Sequence, residues 1–213
     1  MVQAVPKIMS FYEDKVLPHL INIACSSKPN RKQRDKIVPL ATGEVLEIGF
    51  GSGLNLPFYD AQKVARIWAL EPSEGMRRKS RPKVGASTID VEFIDLPAET
   101  IPLEAGSVDT VVVTYSLCTI PDALTALEGM RQVLKPGGSL LFCEHGIAPD
   151  ENVRRWQRRV NPAWGRVSGG CNLDRDIPGL LETSGFELVV DERMYVPGLR
   201  ILSYNYWGVA RAR

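Results

Sequence analysis

Three glycines at alternate positions, Gly49, Gly51 and Gly53, follow the apolar run Val45-Leu46-Glu47-Ile48. Glycine reaches positive φ freely and lets the backbone approach a ligand closely, so a strand that runs straight into this turn suits small-molecule binding through main-chain groups. A second acid, Glu71, closes the next apolar segment, Arg66 to Leu70. In nucleoside-binding α/β folds a carboxylate at that place accepts hydrogen bonds from both ribose hydroxyls. The dinucleotide fingerprint would need a further glycine at position 54, where this chain has Leu54. The plain alternatives are a tight turn without a ligand and, for Glu71, an acid favoured by a helix N-terminus.

His145 follows the apolar run Ser139 to Cys143. It is the better candidate for a general base, because an imidazole with pKa ~6.5 suits proton transfer near neutrality. A structural histidine bonded to Glu144 or to backbone is the alternative. His19 and Tyr12 belong to an N-terminal segment that could lid a pocket or simply pack. Cys25, Cys118, Cys143 and Cys171 show no C-x-x-C spacing and read as free thiols in a reducing, cytoplasmic compartment. No His/Cys/Asp/Glu cluster has the spacing of a metal site. The basic runs around Arg77-Arg78-Lys79 and Arg154-Arg155 lack interleaved aromatics and read as solvated helix faces rather than nucleic-acid contacts.

These residues need a scaffold. With 213 residues, 44% of them hydrophobic, and a net charge of +1, the chain supports one sizeable core and carries no global field toward nucleic acid or a membrane. No charge-free stretch approaches the ~20 apolar residues of a spanning helix, and the N-terminus does not read as a signal peptide. The spacing predicts a helix over Phe11 to Ala24, kinked at Pro18, a loop over Ser26 to Asn30, and a second helix over Arg31 to Leu40. Strands are expected at Val45 to Ile48, Arg66 to Leu70, Val91 to Ile94, Thr110 to Thr114 and Ser139 to Cys143. A polar helix starts at Glu74. Another, Asp122 to Leu134, should stop at Lys135-Pro136-Gly137-Gly138. Such alternation argues a mostly parallel, doubly wound sheet. Asp150 to Asn172 reads as a helix and an irregular excursion that packs through Trp156 and Trp164 or lines a pocket with them. Ile177 to Thr183 is helical, and Phe186 to Val190 and Tyr204 to Ala210 form an antiparallel pair.

The segments E-x-G-x-G-x-G at 47–53, the acid Glu71 and R-x-V-L-K-P-G-G at 131–138 together resemble the class I S-adenosylmethionine-dependent methyltransferases. The resemblance implies a Rossmann-like, seven-stranded sheet with an antiparallel last strand. It implies that Gly49 and Gly51 face the methionine part of S-adenosylmethionine, Glu71 the ribose, and Pro72 and Met76 the adenine. Glu47, Phe50, Gly53, Asn55, Thr114 and Leu117 would belong to the same cofactor site. Pro97-Ala98 stands where relatives often have Asp-Ala, so backbone near Ala98, or the Glu99 carboxylate, would meet the adenine.

Further segments, Ser116-Leu117-Cys118, Glu144-His145, Asn161-Pro162-Ala163-Trp164 and Gly170-Cys171-Asn172-Leu173, are similar to the branch containing the alkyl thiol methyltransferases. That implies direct methyl transfer to a small-molecule acceptor, with a thiol favoured. Cys118 and Cys171 would then line the pocket rather than act as nucleophiles. Unlike the mammalian members of that branch, this chain begins without an apolar anchor, so no stable membrane insertion is expected. The expected organisation is one domain over 1–213: a helical lid (1–40), a cofactor core (41–149), an acceptor-pocket excursion (150–176) and a C-terminal helix with two strands (177–213). A nicotinamide-dependent oxidoreductase and a non-catalytic cofactor-binding module are the competing classes.

Overall fold

A computed structural model of the chain describes residues 16–213. Two helices, α1 (Leu17–Cys25) and α2 (Lys28–Ile37), precede the sheet. The alternation then runs β1 (Gly43–Ile48), β2 (Val64–Leu70), α3 (Glu74–Gly85), β3 (Asp90–Ile94), β4 (Val108–Thr114), α4 (Ala123–Val133) and β5 (Leu134–His145). It ends with α5 (Glu151–Val167), α6 (Ile177–Thr183), β6 (Phe186–Tyr195) and β7 (Tyr204–Ala212). All seven strands join one sheet, in the order β3-β2-β1-β4-β5-β7-β6. β1 to β5 are parallel, and β7 is antiparallel to both neighbours. This is the expected doubly wound, seven-stranded architecture.

The central strands read as unbroken apolar runs because both faces are covered. Leu46, Val111, Val113, Leu140 and Phe142 pack with Leu127 and Met130 of α4 and Ile177 and Leu181 of α6. The alternate residues Val45, Ile67, Val112, Leu141 and Cys143 pack with Ile37 of α2 on the other face. The carboxyl ends of β1, β2 and β4 therefore converge at the point where strand order reverses between β1 and β4, the place where open α/β sheets bind ligands.

Several local expectations give way to backbone chemistry. Pro18 lies in the first turn of α1 as described, where its missing N–H costs nothing, and residues 11–15 of the helix expected there lie outside the described residues. Pro29 likewise lies in the first turn of α2, which begins at Lys28 inside the expected loop and gives way to a 3-10 turn at Val38–Leu40. The Lys135-Pro136-Gly137-Gly138 stop leads directly into β5, which already pairs through Leu134 with Val108 across a register shift. β6 runs on to Tyr195, well past Val190. The 150–172 excursion is mostly one helix, with Pro162 inside it. Phe11 and Tyr12 lie outside the described residues.

Candidate functional site

The glycine turn is built as its sequence demands. Gly49, Gly51 and Gly53 have φ of 66°, 58° and 69°, the left-handed region that favours glycine. The amides of Gly49 and Phe50 donate to the Leu70 carbonyl at 2.9 and 3.1 Å, fixing the turn to the end of β2. Glu71 completes the connection. Its Oε2 accepts the Gly51 amide at 2.8 Å, and its Oε1 accepts the Ser73 amide at 2.9 Å. Burial raises the Glu71 pKa against these two hydrogen bonds. Ser73 caps α3, accepting the Met76 amide.

Beneath the turn lies a buried polar network. Asn55 Nδ2 donates to Glu47 Oε1 and to Thr114 Oγ1, both at 3.0 Å, and the Tyr59 hydroxyl donates to Glu47 Oε2 at 2.6 Å. Burial pushes Glu47 up to about 8, although both hydrogen bonds favour its anion.

These groups face a cleft of ≈ 690 Å³. Of the residues singled out in the sequence, Gly49, Phe50, Gly51 and Glu71 line it, as do Glu47, Asn55 and Thr114 from the network below. Pro72, Met76, Ala98 and Glu99 form the side nearest β2 and β3. The Glu99 carboxylate also accepts the Asp122 amide at 3.2 Å. Gly53 and Leu117 do not line the cleft. The Gly53 amide donates to Phe50 within the turn, and the fully buried Leu117 donates its amide to Glu144 Oε1 at 3.0 Å.

The opposite wall comes from α1, through Leu17, Pro18, Ile21, Asn22 and Cys25. Asn22 is fixed there by a 2.5 Å hydrogen bond from Ser52 of the glycine turn. Of the 150–173 segment only Gly169 reaches the cleft. Trp156 is exposed, with Arg159 over its ring, and so neither packs the helix down nor lines a pocket. Trp164 does pack, against Cys118, Cys171 and Leu173. His19 is on the surface beside Lys79.

Arg34 and Tyr115 are among the cleft residues that sequence reading missed. Arg34, 3% exposed, enters the cleft from α2, donating Nη1 to the Cys25 carbonyl at 2.7 Å and lying 4.8 Å from the centre of the Tyr115 ring. Its Nε is buried without a hydrogen-bond partner, and among the described residues no carboxylate forms an ion pair with it. Tyr115, at the end of β4, has a φ of 53° and anchors its hydroxyl on Asn205. Only the strained backbone marks Tyr115, and no sequence signal does. Arg34 sits among other basic residues of a polar helix, where one buried guanidinium cannot be told from its solvated neighbours.

His145 is not in the cleft lining. Its Nε2 lies 3.2 Å from Cys171 Sγ, and Cys118 completes a group whose ligand atoms all fall within 4.8 Å of one another. The hydrogen bond from Cys118 and the contact with His145 lower Cys171 to about 4, and Cys118 rises well above the usual thiol range. Burial opposes the imidazolium, but the Cys171 hydrogen bond and charge more than offset it and raise His145. The sequence showed no metal-ligand spacing because the three residues come from separate segments, the end of β5 and the loops after β4 and α5. Glu144 does not orient His145. It clamps the loop after β4 through the Ser116 and Leu117 amides, at 2.7 and 3.0 Å.

The methyltransferase domain family matches residues 46–142, which span the glycine turn, Glu71 and the strands that carry them. The chain is 31% identical over 195 residues to the human thiol S-methyltransferase TMT1B, covering 84% of this chain and 79% of that protein. It belongs to the class I S-adenosylmethionine-dependent methyltransferases. Solved structures agree on the fold. A methyltransferase from Thermotoga maritima described as a possible histamine N-methyltransferase aligns with a TM-score of 0.64 at 19% identity, covering 97% of this chain and all of that one. The trans-methyltransferase CalH in complex with SAH aligns with a TM-score of 0.64 at 23% identity, over 98% of this chain and 62% of that one.

This methyltransferase has the surfaces its cofactor needs. The side-chain-free turn leaves a cradle at Gly51, where an added Cβ would meet only Met76 Cε and the Gly49 carbonyl, at 3.6 and 3.7 Å. A buried acid and an unpaired buried guanidinium stand on either side. The family assignment sets aside the nicotinamide reading that Leu54 already disfavoured. Among the described residues, no helix is long and apolar enough to cross a membrane.

Proposed function

We propose that this methyltransferase acts on a small, largely apolar thiol, by direct in-line transfer. The observation that carries the reading is the shape of the cleft: the Gly49–Gly51 turn and Glu71 at one side, and an apolar wall of Leu17, Pro18, Ile21 and Ile120 at the other. The relative TMT1B is named a thiol S-methyltransferase, which supports a thiol acceptor. Four unpaired cysteines favour a reducing, cytoplasmic setting.

When bound, S-adenosylmethionine supplies an activated methyl group on a sulfonium, so the chain's residues need only hold, align and desolvate. In this reading Glu71 holds the ribose hydroxyls with its remaining lone pairs. The Gly49 and Gly51 backbone runs beside the methionine chain, and Arg34 pairs with its carboxylate. Pro72, Met76, Ala98 and Glu99 border the adenine. Leu17, Pro18 and Ile21 exclude water from the acceptor. A thiol with pKa ~8.5 ionises enough near neutrality to attack without a strong base. That suits a site whose histidine is held away from the cleft by Cys171. A hydroxyl acceptor would need a base within reach.

A screen with radiolabelled cofactor against alkyl thiols, phenols, amines and quinols tests the assignment. Labelled thioether from the thiols, with SAH released in equal amount, is the expected result. Turnover on another class with none on thiols overturns the acceptor, and no turnover on any class returns the chain to a non-catalytic binding module.

A further inference from the structure

Cys118 and Cys171 come from two loops, and His145 from the end of β5, that the chain fastens together. Asn172 donates both its amide and its Nδ2 to the Cys118 carbonyl, at 2.8 and 3.1 Å. Asn161, on α5, accepts the Leu173 amide at 2.8 Å and donates to Asp174 at 2.7 Å. Arg175 bonds the carbonyls of Leu117 and Ile120, and Glu144 holds the Ser116 and Leu117 amides. His145 is the last residue of β5, paired in register with Asn205 of β7. Only Ser116 and Ile120 among the residues held by these bonds also line the cleft. The common effect of the bonds is to fix two sulfurs and one ring nitrogen relative to each other.

The donor set is chemically specific. Cys118 and Cys171 are buried, His145 half-buried, and the walls are Leu173, Val160, Trp164 and Leu202. A tetrahedral zinc ion, with bonds of ~2.0–2.3 Å, spaces its ligand atoms roughly 3.5 Å apart. The Cys171 Sγ–His145 Nε2 separation of 3.2 Å, and the 4.8 Å limit for the whole group, need only small side-chain rotations to reach that spacing. Two thiolates and a neutral imidazole around a divalent ion sum to zero charge, which an apolar surrounding tolerates far better than a bare ion. Sulfur and imidazole ligands select zinc-class cations over magnesium or calcium.

We propose that Cys118 Sγ, His145 Nε2 and Cys171 Sγ bind one divalent cation of the zinc class, with Asn172, Asn161 and Glu144 as positioning residues. On binding, two protons pass to solvent, one from Cys118 and one from the Cys171–His145 pair, and two metal–sulfur bonds form. The imidazole donates a lone pair, and the fourth position is left for water or an external thiol.

Cobalt(II) tests this on the metal-stripped, reduced chain, with neither cofactor nor acceptor present, so the result does not depend on which molecule is methylated. The expected result is one cobalt per chain, a thiolate-to-cobalt charge-transfer band and the intense visible bands of tetrahedral cobalt, all displaced by zinc. Cys118→Ser, Cys171→Ser and His145→Gln should each lose those bands, while Cys143→Ala, in the opposite core, keeps them. Asn172→Ala, which leaves all three ligands in place, should weaken cobalt binding roughly 10–100-fold. Thermal melting of each metal-free variant beside metal-free wild type shows whether it folds. Absence of the charge-transfer band in folded wild type overturns the site. So does its survival in a folded Cys118→Ser/Cys171→Ser double variant, or its loss in Cys143→Ala.

Discussion

Glu71 Oε2 accepts the Gly51 amide at 2.8 Å across a gap of 20 residues, so the acid we assign to the ribose also shapes the glycine turn. Removing it has two effects. Glu71→Ala should weaken S-adenosylmethionine binding by about 1–3 kcal/mol, through lost charge-assisted hydrogen bonds and an unsatisfied turn amide. Glu71→Gln keeps an acceptor for one of the two backbone amides and should lose less. Calorimetric titration of both variants separates the contributions, and unchanged affinity in both would remove Glu71 from the site.

Arg34 offers a cleaner dissection. If its guanidinium pairs with the cofactor's carboxylate, Arg34→Lys should lose roughly tenfold or more in affinity, since the ammonium cannot reproduce a two-pronged contact. Binding of methylthioadenosine, which lacks the amino-acid portion, should change little. Equal losses for both ligands would mean that Arg34 merely supports α1 through the Cys25 carbonyl.

The turn glycines are not interchangeable with glycines elsewhere. A Cβ on Gly49 would stand 2.2 Å from Ser116 Oγ at a φ of +66°, so Gly49→Ala should cost on the order of 1–3 kcal/mol in stability. Gly85, at the end of α3, has nothing within 4 Å of the added atom. There Gly85→Ala should raise stability by about 0.5–1 kcal/mol. Urea melts of the two variants should move in opposite directions.

Glu47 makes a pH prediction. Its pKa rises from 4.5 to about 8 in the folded chain, chiefly through burial. Between those values the native state holds a proton that the unfolded chain has lost. The stability from Glu47 is therefore complete below 4.5 and falls as pH rises through about 8. At its steepest the loss approaches ~1.4 kcal/mol per pH unit. Glu47→Gln, neutral throughout, should remove this slope. Melting temperatures of both proteins across the interval check it, and parallel curves would show that Glu47 does not titrate there.

The fold was legible because apolar runs such as Val111–Val113 and the glycine turn are local signals whose physics survives without tertiary context. The antiparallel pairing of β6 and β7 followed from the lack of a helix between them. Legibility stopped where a residue's role depends on what folds against it. Arg34 is one cation among several until α2 packs under the sheet, and Trp156 has the composition of a packing residue until its helix turns it outward. The loop expected over Ser26 to Asn30 hides the start of α2 at Lys28, because the position of Pro29 relative to a helix start is a fact of one residue, finer than periodicity resolves. The Cys118–His145–Cys171 group was invisible because its members are joined only through the ends of β4, β5 and α5.

The last strand in sequence is not the last in space. β7 lies between β5 and β6, and Gly208 fits so tightly that a Cβ there would fall 1.8 Å from the Val190 carbonyl. During synthesis on the ribosome, β5 and β6 must therefore wait, each with an open row of amides and carbonyls, until Tyr204–Ala212 emerges and inserts between them. Strands β1 to β5 can assemble early, but the sheet closes only once Tyr204–Ala212 has emerged. A nascent chain stalled before residue 204 would carry two sticky edges, the state in which chaperone dependence and misassembly concentrate.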